Sequence, residues 1–477
     1  MASSDPPPDS TALDELPQET LIRIGSFLIT AELGPFRRTC KQIEAKLFNT
    51  FANEFFTKRQ FMLEHESLEA LLGITQHPGL ASRLTEVIIG TQALSAGVEL
   101  IKDRILHGRL SRNTLLQTGT ARDMLVQAFA NLPNLRTVGL RDYDGAGRLR
   151  DGPSARWRSW GWSLGYQGAS QDPSELLPIL LSALGTARPT KLEIFLRRQL
   201  LRFNAFQLRA SDYVVLGRLQ TLMLAVAGES KADSITPWST YDDHNHLEAP
   251  LRHFLHSAPN LDTLRLNFET DSFIGHRIID WLSRPTASSV VPDIFHTPSA
   301  KLSALRSFEV GMANVAGDVL TRVLTKFDSL KSFSLCKMTL QCPGPDSLST
   351  DCWAEFLEKL SASLPSSSKI RSISIGTALQ YRYTPSQPRN YDATLTTWVP
   401  EGTAPANTAK ASEKARCIVF QAQFTNKTVH QWLKDMSELT FVPGIHSTLR
   451  SSSPISIDDS DGDIANDESG SGSDEDA

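Results

Sequence analysis

The most concentrated set of reactive side chains lies in HNHLEAPLRHFLH, which contains His244, His246, His253 and His256. Histidines at such spacings can bind zinc, and His253 and His256 would share one face of a helix. The same segment places Leu251, Phe254 and Leu255 at helical spacing, as in a helix packed on a core with histidines on its solvent side. Between these alternatives we favour the packing helix, and we predict no metal site.

Motifs for catalysis are missing from the sequence. It contains no GxxxxGK[ST], GxSxG or HExxH motif, and DGAGRLRDG (144–152) lacks the glycine spacing of a dinucleotide-binding loop. No cysteine and histidine pattern of the RING type occurs either. We therefore expect a protein that is not an enzyme, with no catalytic residues and no cofactor.

A basic and aromatic segment at 142–172 is a candidate binding loop. Such residues are enriched in protein-binding hot spots, and they also stack on single-stranded nucleic acid. A loop packed on its own chain is a third possibility. The candidate target-binding residues are Arg156, Trp157, Arg158, Trp160, Trp162 and Tyr166.

Charge along the chain argues against a nucleic-acid partner. The 477 residues carry a net charge of −5, but nine acidic residues and no Lys or Arg lie in 451–477, so the first 450 residues carry +4. A body so close to neutral does not attract a polyanion. The sequence has no signal peptide and no apolar run long enough for a bilayer, and its five cysteines form no CxxC pair. We predict reduced thiols, no membrane association, and a cytoplasmic or nuclear location.

The acidic end contains one short motif. In PISIDDSDGD (454–463) two isoleucines alternate before a run of acids, which is similar to SUMO-interacting motifs, where a short strand pairs with a sheet edge. A solubilising acidic tail without a fold is the alternative. The candidate SUMO-interacting residues are Ile455, Ile457, Asp458 and Asp459.

A short pattern, L-x-x-L-x-L, recurs from residue 84 onward. It appears as RLTEVII (83–89), NLRTVGL (134–140), RLQTLML (218–224), NLDTLRL (260–266), ALRSFEV (304–310), SLKSFSL (329–335) and KIRSISI (369–375), with KLEIFL (191–196) as a poorer match. In six of the seven, a polar residue and then Thr or Ser follow the first apolar residue. Helical segments precede several copies, and a helix followed by a short strand is the unit of a leucine-rich repeat.

These repeats predict the fold class. We expect an α/β chain whose larger part, 84–446, is an irregular leucine-rich-repeat-like solenoid with inserts at 142–172 and 377–412 that loop out. The alternative is an ordinary α/β domain with parallel strands and crossover helices. Residues 1–13 and 447–477 have the composition of disordered segments.

The N-terminal segment LPQETLIRIGSFL (16–28) predicts a helix with more apolar residues than one face can bury. Leu21, Ile24 and Leu28 form one face, which we expect to hold the helical unit together, while Ile22 and Ile29 point elsewhere. Because Pro35 breaks helices, we also predict a turn at 30–34 and a new helix from Pro35.

Residues 14–50 resemble an F-box. The matching positions are Leu16, Pro17, Glu19, Leu21, Ile24, Phe27, Leu28, Leu33, Arg37, Cys40 and Lys41. The following segment, FTKRQFMLEHESLEALLGITQHPGLASRLTEVIIG, is similar to the region after the F-box in many fungal members, and we assign 51–83 to a helical linker or cap. Departures from the family pattern are Thr20, Gly25 and Pro35.

The resemblance implies the substrate-recognition subunit of an SCF-type cullin–RING ubiquitin ligase. The F-box would bind the S-phase-kinase-associated adaptor, which leads to cullin and RING subunits, and the repeats would bind an unidentified target protein. The alternative is a repeat scaffold, or a nucleic-acid-associated protein, whose F-box-like helices pack on their own body. The predicted adaptor-binding residues are Leu16, Pro17, Glu19, Ile22, Ile24, Leu28, Leu33, Phe36, Arg37, Cys40 and Ile43.

Overall fold

The computed structural model describes residues 13–91, 110, 113–143, 145–146, 148–152, 154, 156–157, 173–197, 200–227, 248–269, 273–286, 297–342, 351–382, 393–398 and 416–442. Of the helices in these ranges, none combines the length and hydropathy needed to cross a bilayer.

Three helices open the described chain: α1 (Gln18–Phe27), α2 (Thr30–Arg37) and α3 (Lys41–Phe56). The predicted turn at 30–34 is wrong, because α2 covers these residues and contains Pro35. A proline near the C-terminal end of a short helix removes one hydrogen bond, and the helix ends two residues later. The turn lies instead at 38–40, where the Cys40 sulfur accepts a hydrogen bond from the Ile43 N–H (3.4 Å) and caps α3.

A ten-stranded sheet forms the larger part of the protein. Nine strands follow one another in parallel and in chain order, and the last joins antiparallel. The strands are β1 (Lys58–Met62), β2 (Glu86–Gly90), β3 (Thr137–Arg141), β6 (Lys191–Phe195), β7 (Thr221–Val226), β8 (Thr263–Phe268), β9 (Ser307–Gly311), β11 (Ser332–Cys336), β13 (Ser372–Gly376) and β16 (Cys417–Gln421). Between β3 and β6, β4 (Gly145–Ala146) and β5 (Arg156–Trp157) form a small antiparallel pair.

All eight L-x-x-L-x-L segments contribute strands to this sheet, including the poorer match KLEIFL, which forms β6. The apolar positions of each are buried, as Leu261, Leu264 and Leu266 are in β8 and its approach. The strand order shows no reversal, whereas a doubly wound α/β sheet has one. The larger part of the chain is therefore a leucine-rich-repeat-like α/β solenoid.

The polar residue after the first leucine has a backbone role. Its carbonyl accepts two N–H groups from the next repeat: Arg306 O, for example, accepts from Lys331 N (2.8 Å) and Ser332 N (3.0 Å), and Lys331 O accepts from Arg371 N and Ser372 N. The same bond pair recurs from Thr57 to Lys331. Its side chain can therefore vary, because the repeat uses only its backbone.

Helices cover one side of the sheet and return the chain to the next strand. They are α4 (His65–Gln76), α5 (Pro78–Ala81), α6 (Thr120–Ala130), α7 (Leu176–Leu184), α8 (Asp212–Leu216), α9 (Ala249–His256), α10 (Phe273–Ser283), α11 (Gly317–Lys326), α12 (Cys352–Ser363) and α13 (Val429–Glu438). Consecutive helices pack on each other from α10 to α13, and α6 packs on both α4 and α7. Their buried faces and the strands' leucines form one continuous core.

A second sheet borders the later repeats. It contains β10 (Asn314–Ala316), β12 (Thr339–Cys342), β14 (Ala378–Arg382), β15 (Ala393–Trp398) and β17 (Thr440–Phe441). Met312, Lys337 and Thr377 have φ of 57°, 53° and 52°, and each follows directly on a strand of the large sheet. The left-handed conformation there gives the sharp corner between the two sheets.

The sequence-based expectation differs from the structure in two further places. The segment 377–412 was expected to loop out, but β14 and β15 lie within it. Of the five cysteines predicted to be reduced, Cys352 is disulfide-bonded, whereas Cys40, Cys336 and Cys417 are free.

Gly139 in β3 provides a test of the strand packing. A Cβ at this position would lie 2.5 Å from the Glu193 carbonyl oxygen and 2.9 Å from Ile88 Cδ1. We expect Gly139→Ala to lower the free energy of unfolding by about 1–3 kcal/mol, because the backbone at Glu193 must move to make room for the methyl group. The control is Gly73→Ala in α4, where a Cβ meets no atom within 4 Å; it should raise stability by about 0.5–1 kcal/mol. Urea denaturation measures both, and equal effects would contradict this packing.

Candidate partner-binding surface

The N-terminal helices form a small core of their own. Leu21 of α1 is buried against Ile43 and Leu47 of α3. Around these three pack the half-buried side chains of Leu16, Ile22, Phe36 and Cys40. Ile22 therefore contributes to the inside of the helical unit, although the sequence indicated that it points away.

The same unit is also joined to the solenoid. Leu33 of α2 and Phe55 and Phe56 at the end of α3 belong to the main core, and Leu28 packs against that core. Part of the extra apolar surface of α1 and α2 is thus covered by the protein itself, which agrees with the intramolecular alternative.

The corner between α1 and α2 remains uncovered. Phe27, the last residue of α1, is 79% exposed, and Ile29, which precedes α2, is 45% exposed. Near the start of α1, Pro17 and Glu19 are exposed as well. An exposed phenylalanine next to an exposed isoleucine marks an interaction site more often than single exposed apolar residues do. We call Phe27 and Ile29 the apolar corner.

The predicted adaptor-binding residues fall into three groups. Pro17 and Glu19 are exposed, and Leu33 and Ile43 are buried, where they hold the helices in place. The rest are half-buried: Leu16, Ile22, Ile24, Leu28, Phe36, Arg37 and Cys40. The structure brings all eleven into one helical unit, and Phe27 is more exposed than the nine of them that are buried or half-buried.

Two residues of the basic insert hold the apolar corner in place. Arg150 Nη1 donates hydrogen bonds to the carbonyl oxygens of Gly25 (2.9 Å) and Leu28 (2.8 Å), at the C-terminal end of α1. Asp151 accepts hydrogen bonds from the Thr30 N–H (2.7 Å) and the Thr30 hydroxyl (2.6 Å), at the N-terminus of α2. A cation near a helix C-terminus and an anion near a helix N-terminus each interact favourably with the partial charge at that end of the helix dipole. We call Arg150 and Asp151 the clamp.

Further charges fix the clamp to α3. Arg150 also forms an ion pair with Glu54, and the Arg148 guanidinium lies 4.0 Å from the centroid of the Phe55 ring. Burial alone would raise the pKa of Asp151, but the Thr30 hydrogen bonds and the charges of Arg148 and Arg150 outweigh it and lower that pKa. The carboxylate of Asp151 is therefore stabilised in its charged form.

The clamp shows that the start of the basic insert packs on its own chain. Arg156 and Trp157 form β5 and pair with β4. The predicted target-binding residues Arg158, Trp160, Trp162 and Tyr166 lie outside the described residues, as do Ile455, Ile457, Asp458 and Asp459 of the acidic end. Their proposed roles stay predictions.

The free face of the large sheet is the second candidate surface. Its earlier strands carry paired charges, with contacts between Lys58 Nζ and Glu86 Oε2 and between Lys191 Nζ and Glu193 Oε1, both 2.6 Å. At the corresponding positions of its later strands, Glu309 forms an ion pair with Arg265, and the other side chains are small: Ser307, Gly311, Ser332, Ser334, Cys336, Ser372, Ser374 and Gly376. Neither part of the face has one dominant charge.

Two of the four histidines of the zinc alternative lie on the packing helix α9. His253 Nε2 lies 2.7 Å from the Tyr213 hydroxyl, and burial lowers the pKa of both His253 and His256. Both are half-buried on α9, whose Leu251, Phe254 and Leu255 enter the core. His244 and His246 lie outside the described residues. Within the described residues, no three His, Cys, Asp or Glu side chains are placed to bind a metal.

Sequence reasoning missed the clamp and undervalued Phe27. Arg150 and Asp151 lie in the basic and aromatic segment at 142–172, but neither is among its candidate binding residues. No local pattern links either of them to helices about 120 residues earlier. Phe27 was part of the F-box resemblance, but only the structure shows how exposed it is.

Comparisons with known proteins find only distant structural similarities for this chain. No protein-family description and no curated protein matches it. Similar solved structures include the leucine-rich repeat-containing protein LegL7 from Legionella pneumophila, with 12% identity and a TM-score of 0.26 over 69% of this chain and 93% of that one. Another is the Rad7 and Elc1 complex in yeast, with 11% identity and a TM-score of 0.22 over 73% of this chain and 86% of that one. At these scores neither likeness supports a function.

Removing the carboxylate of the clamp tests how it holds the corner. Asp151→Ala leaves the Thr30 N–H at the start of α2 without its acceptor, and we expect a loss of about 1 kcal/mol in the free energy of unfolding. Because the folded pKa of Asp151 is lowered from 3.8, the difference from wild type is full near neutral pH. The stability difference disappears as the pH falls through the pKa of Asp151 in the folded protein.

Urea denaturation at several pH values measures this difference. The control is Asp328→Ala, which removes an exposed carboxylate and should change stability by less than about 0.5 kcal/mol. Equal effects of the two substitutions, or a difference that does not vary between neutral and acidic pH, would show that the clamp does not stabilise α2.

Proposed function

We propose that the protein is a substrate receptor of a cullin–RING ubiquitin ligase, with residues 14–50 acting as an F-box. The helices would bind the S-phase-kinase-associated adaptor, and the free face of the solenoid would bind the protein to be ubiquitinated. In this role the chain performs no chemistry and works in the cytoplasm or nucleus. The F-box-like residues of the sequence support the proposal, together with the exposure of the apolar corner.

The apolar corner is the observation that carries the proposal. Phe27 and Ile29 remain exposed although both neighbouring helices are packed, capped and tied to the solenoid. Their exposure is therefore not the result of a loosely folded terminus. An aromatic side chain on a fixed backbone has only two torsions to restrict on binding, so it loses little conformational entropy, which favours its use as an anchor in an interface.

The division of roles follows from the two surfaces. The apolar corner is small and apolar and suits one constant partner, whereas the free face of the sheet is long and carries mixed charges and small side chains. Solenoids commonly use such an extended face for binding. Because α3 enters the main core, the two surfaces are held in one rigid arrangement, as a receptor that positions its target must be.

The competing function is a repeat scaffold whose N-terminal helices serve only to cap the solenoid. The clamp and the burial of Leu33 favour this alternative, since they show real packing of these helices on the body. It offers no role for Phe27, however, because a cap needs a polar outer surface.

Phe27→Ser tests the proposal. Burying a phenylalanine in an interface contributes about 2 kcal/mol, so its loss should weaken adaptor binding roughly thirtyfold. The matched control is Phe424→Ser, because Phe424 is also 79% exposed but lies beyond β16 at the other end of the solenoid. Co-purification of the adaptor and cullin with each variant, and titration with purified adaptor, are the measurements.

We expect neither substitution to lower thermal stability, because both side chains are largely in solvent. Loss of adaptor binding for Phe27→Ser alone supports the receptor. An adaptor that binds wild type and Phe27→Ser equally, or that binds neither, would contradict the proposal and favour the scaffold.

A further inference from the structure

Three basic side chains lie side by side where the last parallel strands begin. Arg306, Lys331 and Arg371 precede β9, β11 and β13, and the register of these strands places them next to one another. Each is exposed. Since adjacent strands are about 4.8 Å apart, the three charges form a row about 10 Å long, which we call the basic row.

The basic row has no acidic partner in the part of the chain that the structure describes. The ion pairs of the sheet involve other residues, such as Arg265 with Glu309. The nearest further charges are mixed. Asp262 holds the same position on the neighbouring strand, beside Arg306, and Asp328 is exposed in the loop before Lys331, while Lys301 and Lys369 are exposed close by in sequence. Like charges on neighbouring strands repel each other. An anionic ligand along the row would relieve this repulsion.

The row's backbone explains why its charge is not required by the fold. At this position of each repeat the carbonyl carries the structural bonds, and the residues that earlier repeats place here are of several types: Thr57, Thr85, Arg136, Thr190, Gln220 and Asp262. Three cations in succession occur only at the C-terminal end of the sheet. A function other than stability therefore accounts for them better.

The chain itself supplies a matching anion. Residues 451–477 hold nine acidic residues and no Lys or Arg, and the first acids are Asp458, Asp459, Asp461 and Asp463. The described chain ends at Val442, after α13, which packs on α12 at the same end of the solenoid. The 16 residues from Val442 to Asp458 can span up to about 50 Å. The basic row lies within three strand spacings of β16, or about 15 Å across the sheet.

We propose that the acidic segment 458–463 binds the basic row of its own chain. Opposite charges held on one chain meet at a high effective concentration, so even weak contacts between exposed groups are occupied at low salt. The bound segment would run along the edge of the large sheet where its strands begin, beside the free face of the last repeats. A protein target for that end of the sheet would have to displace it. This inference is independent of adaptor binding at the apolar corner.

Carbodiimide cross-linking of the full-length protein tests the proposal, because it joins a lysine amine only to a carboxylate in direct contact. Lys331 is the reporter, and Lys434 is the control, since it is exposed on α13 and closer along the chain to the acidic segment. At low ionic strength we expect peptides joining Lys331 to 458–463 at least about fivefold above those joining Lys434. In 0.5 M salt they should largely disappear.

A double variant separates recognition from proximity. Arg306→Gln with Arg371→Gln keeps the Lys331 reporter and removes two of the three positive charges of the basic row. The yield of Lys331 cross-links should therefore fall at least about threefold. Cross-links whose yield increases with protein concentration would show binding between two copies and would overturn binding within one chain. Equal yields at Lys331 and Lys434, or yields unaffected by the double variant, would overturn the proposal whatever the outcome for the adaptor.

Discussion

The structure depends on a constraint that acts on every repeat: one strand and one helix cannot bury their apolar faces alone. Each L-x-x-L-x-L strand sends its leucines toward the helices, and only neighbouring repeats complete the enclosure. The first strand of the array therefore needs a cover of a different kind. Phe55 and Phe56 of α3 supply part of it, so the N-terminal helices are fixed to the solenoid by the same core that stabilises the repeats.

This attachment determines what the helical unit can do. Its inner side is occupied by the main core and by its own cluster around Leu21, and the clamp satisfies both helix ends at the corner. Phe27 and Ile29 are left outside a rigid framework rather than on a mobile arm. The uncovered surface is thus much smaller than the apolar content of the first helix suggested. It is also better defined, because the helices on both sides of it cannot shift independently.

Much of the solenoid could be predicted from the sequence, because its signal is local and repeated. Apolar side chains at alternate positions identified even the weak strand around Leu192, although Lys191 stands there where most other repeats have Thr or Ser. Predictions failed where the deciding contacts are distant or where one residue was given too much weight. Pro35 suggested a helix start, yet α2 tolerates it near its end. The strands β14 and β15 lie in a segment rich in turn-forming residues, and the pairing of β14 with β12 and of β15 with β14 has no local signature. The clamp depends on contacts about 120 residues apart, which no periodicity encodes.

Hydrogen–deuterium exchange of the full-length protein, with and without the purified adaptor, tests the central claim most directly. The account predicts slower exchange at residues 22–30, around the apolar corner, and unchanged exchange in β16 at the opposite end. Binding that protects the free face of the sheet and leaves residues 22–30 unchanged would contradict it, and so would the absence of any binding at micromolar adaptor.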